Sequence, residues 1–214
     1  MAGLTPHWSA APPEVVSAYR EILGALRGTD FCLAGGTTLA LRLGHRLSAD
    51  LDRFSLSLEE VASLLAGLRG ALPRFVLTST SPRTLYGTVD DVQISLFGYA
   101  YPWLQTPEEP APGLLPIAGL HDIAAMKLAA IASRGSRKDF VDLWFLVQSG
   151  IALAGALDMF QRKFAPVDIG HVVRSLVYFD EAELEPPLRL LRPASWDAVK
   201  TDFRQWVDEL LAAP

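Results

Sequence analysis

Two carboxylates stand two residues apart in the run Ser48-Ala49-Asp50-Leu51-Asp52-Arg53-Phe54. In a strand, residues two apart share a face. Asp50 and Asp52 would then project together while Leu51 points into the core. Parallel carboxylates repel unless something positive lies between them. A divalent cation does this well, and Mg²⁺ (or Mn²⁺) prefers carboxylate, water and phosphate oxygens. Upstream, the short apolar run 31–34 leads into Gly35-Gly36-Thr37-Thr38. A glycine turn that opens a helix offers backbone N–H groups and a positive helix end to phosphates. Together the two features describe a nucleotide-phosphate and metal site, whose chemistry is in-line attack on phosphorus with metal ions clamping the attacking and leaving oxygens. Each part alone has a plainer reading: Gly-Gly as a simple turn, Asp-x-Asp as a solvated strand end.

A second group of chemistry-bearing residues lies in 121–146. Lys127 sits between Met126 and Leu128, so its ammonium emerges near an apolar face. There it can hold a phosphate or a pyrophosphate leaving group, or simply snorkel to solvent. Gly135 breaks this helix and Ser136 caps the next. Asp139 and Asp142 fall one turn apart, with Lys138 and Asp142 as an i,i+4 pair. One reading is a salt-bridged helix start with acids near its positive end. The other makes Arg134, Arg137 and Lys138 an anion-binding patch, with Asp139 orienting Lys127 or a nucleotide group. Arginine suits that role because it grips phosphate oxygens bidentately. In the first group, Arg46 and His45 hold the loop or a triphosphate, and the Ser48 hydroxyl can do the same.

Positioning these residues requires a small mixed α/β half over 1–103 followed by a helical half over 104–214. A helix starts at Pro12-Pro13 and repeats Val15, Val16, Tyr19, Ile22 and Leu26 at helical spacing. Strands are expected over 31–34, 51–56, 74–80, 84–89 and 92–97, with a hairpin turn at Asp90-Asp91. Thr37 caps a helix running to Leu43, and Ser57-Leu58-Glu59-Glu60 reads as a capping box for the helix after it. A proline-rich connector spans 105–113. Helices follow over 119–133, 136–148, 152–164, 168–178 and 196–212, the last capped by Ser195.

The bulk properties agree with such a protein. Of 214 residues, 50% are apolar and 20% charged, with net charge −5. That charge gives no general attraction for a polyanion, so a nucleic-acid partner would need a local basic patch. The single cysteine, Cys32, permits no internal disulfide, which fits a reducing cytoplasm. Neither a signal peptide nor a membrane-spanning run is expected.

The segment Leu33-Ala34-Gly35-Gly36-Thr37-Thr38-Leu39-Ala40-Leu41, with His45-Arg46-Leu47-Ser48-Ala49-Asp50-Leu51-Asp52-Arg53-Phe54 after it, resembles the first motif of nucleotidyltransferases related to DNA polymerase beta. Within that superfamily it is similar to the AbiEii/AbiGii toxins of type IV toxin–antitoxin systems. The block around Lys127, Arg134, Arg137, Lys138, Asp139 and Asp142 resembles the same family's later motif. The resemblance covers most of residues 30–165. It implies an α+β nucleotidyltransferase fold, a mixed sheet with flanking helices, whose helical second half completes the cleft. Asp50, Asp52, Lys127 and Asp139 take catalytic roles. Asp50 and Asp52 bind the metal, while Gly35, Gly36, Thr37, Thr38, Arg46, Ser48, Arg134, Arg137 and Lys138 bind nucleotide. A nucleoside triphosphate is the implied donor and tRNA or another RNA an implied acceptor, with a cognate antitoxin acting without a stable complex. Superfamily members usually add a third acid from a neighbouring strand, and Ser95 stands at that position here. A catalytically silent nucleotide-binding protein and a small-molecule (antibiotic) nucleotidyltransferase are the alternatives.

Overall fold

The computed structural model describes residues 5–58, 60–109, 115–165 and 168–212. The chain divides into two compact units, residues 1–102 with 106–118, and residues 103–105 with 119–214.

The first unit is built on a five-stranded sheet of order β1-β2-β5-β4-β3. Its strands are β1 (Cys32–Leu33), β2 (Leu51–Ser55), β3 (Phe75–Ser81), β4 (Thr84–Val89) and β5 (Val92–Gly98). Only β2 and β5 pair in parallel; every other pair is antiparallel. Asp90 and Asp91 both have positive φ, 47° and 66°, the backbone of the tight turn that follows the twist of a hairpin.

One face of the sheet is the core. Leu51, Ile94, Leu96 and Leu85 pack with Val15, Tyr19 and Ile22 of α1 (Pro13–Ala25) and Leu68 of α3 (Val61–Ala71). The i, i+4, i+7 spacing of the α1 residues turns one stripe onto the strands. Arg53 also faces this side and is fully buried, its guanidinium 4.8 Å from the Tyr19 ring. Burial pushes its pKa down to about 10, with Tyr19 and Cys32 opposing, so it remains a cation at neutral pH.

The other face carries two rows fixed by strand register. Asp52, Ser95 and Tyr86 are paired across β2, β5 and β4, and Phe54, Phe97 and Thr84 form the next row.

Several local expectations change. Helix α2 spans Gly35–Leu43, and its N-cap is Ala34 rather than Thr37, because the Thr37 hydroxyl has another acceptor. The α3 N-cap is Glu60, without a side-chain bond. The expected capping box does not form at its first residue, because Ser57 bonds backward to Asp30 through both its amide and its hydroxyl; Glu59 lies outside the described residues. The proline-rich connector contributes to the first unit: Ile117 bridges Leu33 and Glu108. Residues 110–114 are outside the description.

The second unit is helical: α4 (Leu120–Arg134), α5 (Arg137–Gln148), α6 (Leu153–Phe164), α7 (Ile169–Ser175), α8 (Asp180–Glu183) and α9 (Trp196–Ala212). Helix α4 packs on α5, α6 and α7, and α5 packs on α8 and α9. Phe140 anchors the second contact, its ring 5.0–6.0 Å from those of Phe179, Trp196 and Phe203. The Ser195 hydroxyl accepts from the Ala198 amide as an N-cap should. Ser136 does not cap with its side chain, because its hydroxyl donates to Glu185. A buried ion pair joins Asp122 to Lys163 at 2.6 Å, and Asp122 also accepts from the amides of Leu104 and Gln105. Those bonds hold segment 103–105 to the second unit. Among the described residues, no single helix is long and apolar enough to cross a membrane.

Candidate active site

The glycine turn is pinned against β2. The Ala34 amide donates to the Asp52 carbonyl at 3.0 Å, and Gly35 follows with φ +73°, a conformation that costs most residues dearly. A Cβ at position 35 would lie 3.2 Å from Asp52 Oδ2. Glycine suits the position on both counts, since a side chain there would be strained at that φ and would crowd the carboxylate. The first amides of α2 lack intrahelical acceptors, as at any helix start.

Thr37 and Ser48 fix the loop that delivers the acids. The buried Thr37 hydroxyl donates to the Asp50 carbonyl and lies 2.9 Å from the Ser48 hydroxyl. The Ser48 amide donates to the Ala10 carbonyl. Thr38 is fully buried. These hydroxyls were expected to cradle phosphate. Gly35 and Gly36, by contrast, are half-buried. Arg46 is buried as well, and its Nη1 donates to the Leu47 carbonyl.

Asp50 directly precedes β2 and Asp52 is its second residue; both are half-buried. Ser95 is the register partner of Asp52 and is 9% exposed. A short hydroxyl therefore stands in register with Asp52 where the resemblance led one to expect a third acid. Among the described residues, no group of three or more His, Cys, Asp or Glu could hold a metal.

The second unit gathers the later motif into one buried cluster. Lys127 Nζ lies 2.8 Å from Asp139 Oδ1 and 2.6 Å from Asp142 Oδ2. Arg134 binds Asp139 bidentately, at 2.8 Å through Nε and 3.1 Å through Nη2. Burial alone would push the Asp139 carboxyl up, but Lys127 and Arg134 hold it below the usual carboxylate range. The two acids and two bases balance in charge. Lys127 was expected to emerge near an apolar face, either to hold a phosphate or to reach solvent; its side chain is 6% exposed while that of Arg134 is 56% exposed. The open cation of the cluster is therefore Arg134.

Sequence reasoning paired Asp142 with Lys138 and missed its bond to Lys127. Periodicity held the signal, since Asp142 follows Asp139 by one turn toward the buried side. Arg137 does not join this cluster. Its guanidinium donates to the carbonyls of Ala182 and Glu183 and lies 5.0 Å over the Trp196 ring. A guanidinium matches the free carbonyls at a helix C-terminus, so Arg137 staples α8 to α5. Lys138 lies in the first turn of α5, half-buried.

A mixed sheet with an acid-bearing strand beside a glycine turn, together with a helical unit, is the fold of nucleotidyltransferases. Two solved structures share it: a crystal structure of a candidate nucleotidyltransferase from H. pylori (TM-score 0.56, 19% identity, covering 95% of this chain and 100% of that one), and MenT4, a nucleotidyltransferase toxin from Mycobacterium tuberculosis H37Rv (TM-score 0.54, 17% identity, covering 94% and 84%). The family model described as nucleotidyl transferase AbiEii toxin, type IV TA system, matches residues 20–214, and this chain belongs to that family. It is also 39% identical over 184 residues to an uncharacterized protein of Aquifex aeolicus strain VF5, covering 85% of this chain and 88% of the relative.

Proposed function

We propose that the chain transfers a nucleoside monophosphate from a nucleoside triphosphate to an acceptor in a Mg²⁺- or Mn²⁺-dependent reaction that releases pyrophosphate, as a toxin restrained by a cognate antitoxin in the cytoplasm. The carrying observation is the approach of the Gly35 turn to Asp52, close enough that a Cβ would meet the carboxylate. A phosphate on the turn's amides and a cation on Asp52 would then be neighbours.

The donor set suits the ion. Mg²⁺ commonly takes one or two carboxylates and fills its remaining positions with water and substrate phosphates. Asp50 and Asp52 are the residues that would hold it, and it would supply charge neutralisation at phosphorus. The chain's own groups do the rest. Amides of Gly35 and Gly36 bind phosphate oxygens. Thr37 and Ser48 keep Asp50 in place. Arg134 is the exposed cation of the Asp139 cluster and would bind anions, with Asp139 ordering it through a bidentate contact. An RNA acceptor, tRNA included, fits the toxin reading.

Ser95 at the third-acid position favours one competing reading, a nucleotide-binding protein without transfer. Parallel incubations with α-labelled and γ-labelled triphosphates separate the two. The proposal expects α-label in the acceptor and γ-label in pyrophosphate, in equal amounts and only with a divalent ion. Binding without transfer would support the silent reading, and γ-label in the acceptor would overturn both.

A further inference from the structure

A pocket of about 240 Å³ opens in the second unit between α5 and the start of α9. Its walls are apolar: Val141 of α5, Leu188 of the segment after α8, and Val199 of α9. Arg137 and Trp196 join the lining, with the guanidinium 5.0 Å over the indole ring, and Ser195 completes it. Apolar walls with a few convergent polar groups are the usual make-up of a small-molecule site.

The polar groups of the lining have donors to spare. The Arg137 side chain is 11% exposed. Its Nε donates to the Ala182 carbonyl and its Nη2 to the Glu183 carbonyl, while Nη1 has no acceptor among the described residues. The Ser195 hydroxyl accepts from the Ala198 amide, so its own proton is still available to donate. The next two amides open a helix of 17 residues, where first-turn N–H groups lack intrahelical acceptors and the helix end is positive.

Such a set calls for an anion, and size and charge narrow its class. At about 30 Å³ per water the space holds about eight waters, so the occupant has on the order of ten heavy atoms, far short of a nucleotide. The Glu183 carboxylate already lies 3.7 Å from Arg137 Nη2, and it also takes the Lys200 ammonium at 2.6 Å. An acid beside the guanidinium disfavours a dianion such as phosphate. The aliphatic walls match a hydrocarbon body attached to the charge.

We propose that this pocket binds a small monocarboxylate with an apolar body, the carboxylate on Arg137 Nη1 and the Ser195 hydroxyl and the body on Val141, Leu188 and Val199. The site is separate from the Asp139 cluster. Arg137 and Val141 are four apart and share one face of α5, whereas Asp139 and Asp142 turn to Lys127. The inference does not rest on the transferase reading.

The test uses the full chain with phenylacetate as probe and phenylacetamide as its neutral isostere. Calorimetry reads affinity, and ¹⁵N spectra of the indoles read location, the Trp196 resonance being the one missing from Trp196→Phe. Phenylacetate should bind once per chain and move that resonance. Phenylacetamide should bind about 10- to 150-fold more weakly, the worth of a hydrogen bond to a charged group. Ala194→Phe puts a ring into the pocket from its own lining and should abolish binding. Ser195→Gly still caps α9 but removes the hydroxyl, so it reads a loss of about tenfold even if the larger substitution disturbs the fold. Equal affinity for acid and amide would overturn the assignment, as would undiminished binding in either variant or no binding of phenylacetate at about 10 mM. Displacement of phenylacetate by Mg²⁺-triphosphate would give the pocket to the donor nucleotide and overturn it too.

Discussion

Asp52→Ala should lower nucleotide transfer by at least about a thousandfold while leaving the fold in place. Losing an ion's charge stabilisation at phosphorus costs several kcal/mol, and each 1.36 kcal/mol is about tenfold in rate. Strand β2 keeps its register without this side chain, because Leu51–Ser55 pair along their whole length with β5 through the backbone. Steady-state transfer and a thermal melt on the same sample check both halves. The neighbouring glycine sharpens the contrast: the turn is shaped around the Asp52 carboxylate, so triphosphate should also bind more weakly to Asp52→Ala in the presence of Mg²⁺. Full activity in this variant would remove the metal assignment.

Asp139→Ala should be the most destabilising change among the site residues. Asp139 takes both the Lys127 ammonium and the Arg134 guanidinium, and it is completely buried. Removing one partner of a buried ion pair costs about 3–5 kcal/mol. At about 2–4 °C per kcal/mol for a chain of this size, the melting temperature should fall by about 10 °C. Transfer should fall with it, since Arg134 loses the bidentate contact that orders it.

The same group gives a pH signature. Its carboxyl titrates below the usual range when folded, whereas the unfolded chain's aspartate titrates near pH 4. The contribution is therefore complete above about pH 4 and is lost as pH falls from there through the lower folded value. Asp139→Ala should flatten that acid limb. An unchanged limb would mean the cluster does not hold its charge as described.

Much of the fold around these residues was legible because strand periodicity, glycine turns and helix breaks are local. The residue types from Gly35 to Asp52 marked strand, turn, helix and strand, and five strands appear where alternation and turn residues put them. What escaped is non-local. Ser57 looked like a capping-box residue, but Asp30, distant in sequence, competes for its amide and hydroxyl. Arg137 looked like an anion ligand beside Arg134, yet the carbonyls of α8, a four-residue helix too short to show a period, take its guanidinium. The depth of Lys127 depended on how α4 and α5 pack, and Asp142 became its partner only through that packing.

In the proposed reaction, Asp50 and Asp52 share a divalent ion with a triphosphate seated at the Gly35 turn. Electron paramagnetic resonance of Mn²⁺ titrated into the protein, with and without a non-hydrolysable α,β-methylene triphosphate, tests it directly. One Mn²⁺ per chain that binds tightly only when the triphosphate is present, and is released in the Asp50→Asn/Asp52→Asn double variant, is the predicted result. A triphosphate that binds as well in chelator as in Mn²⁺, or a Mn²⁺ signal indifferent to those two residues, would contradict the account.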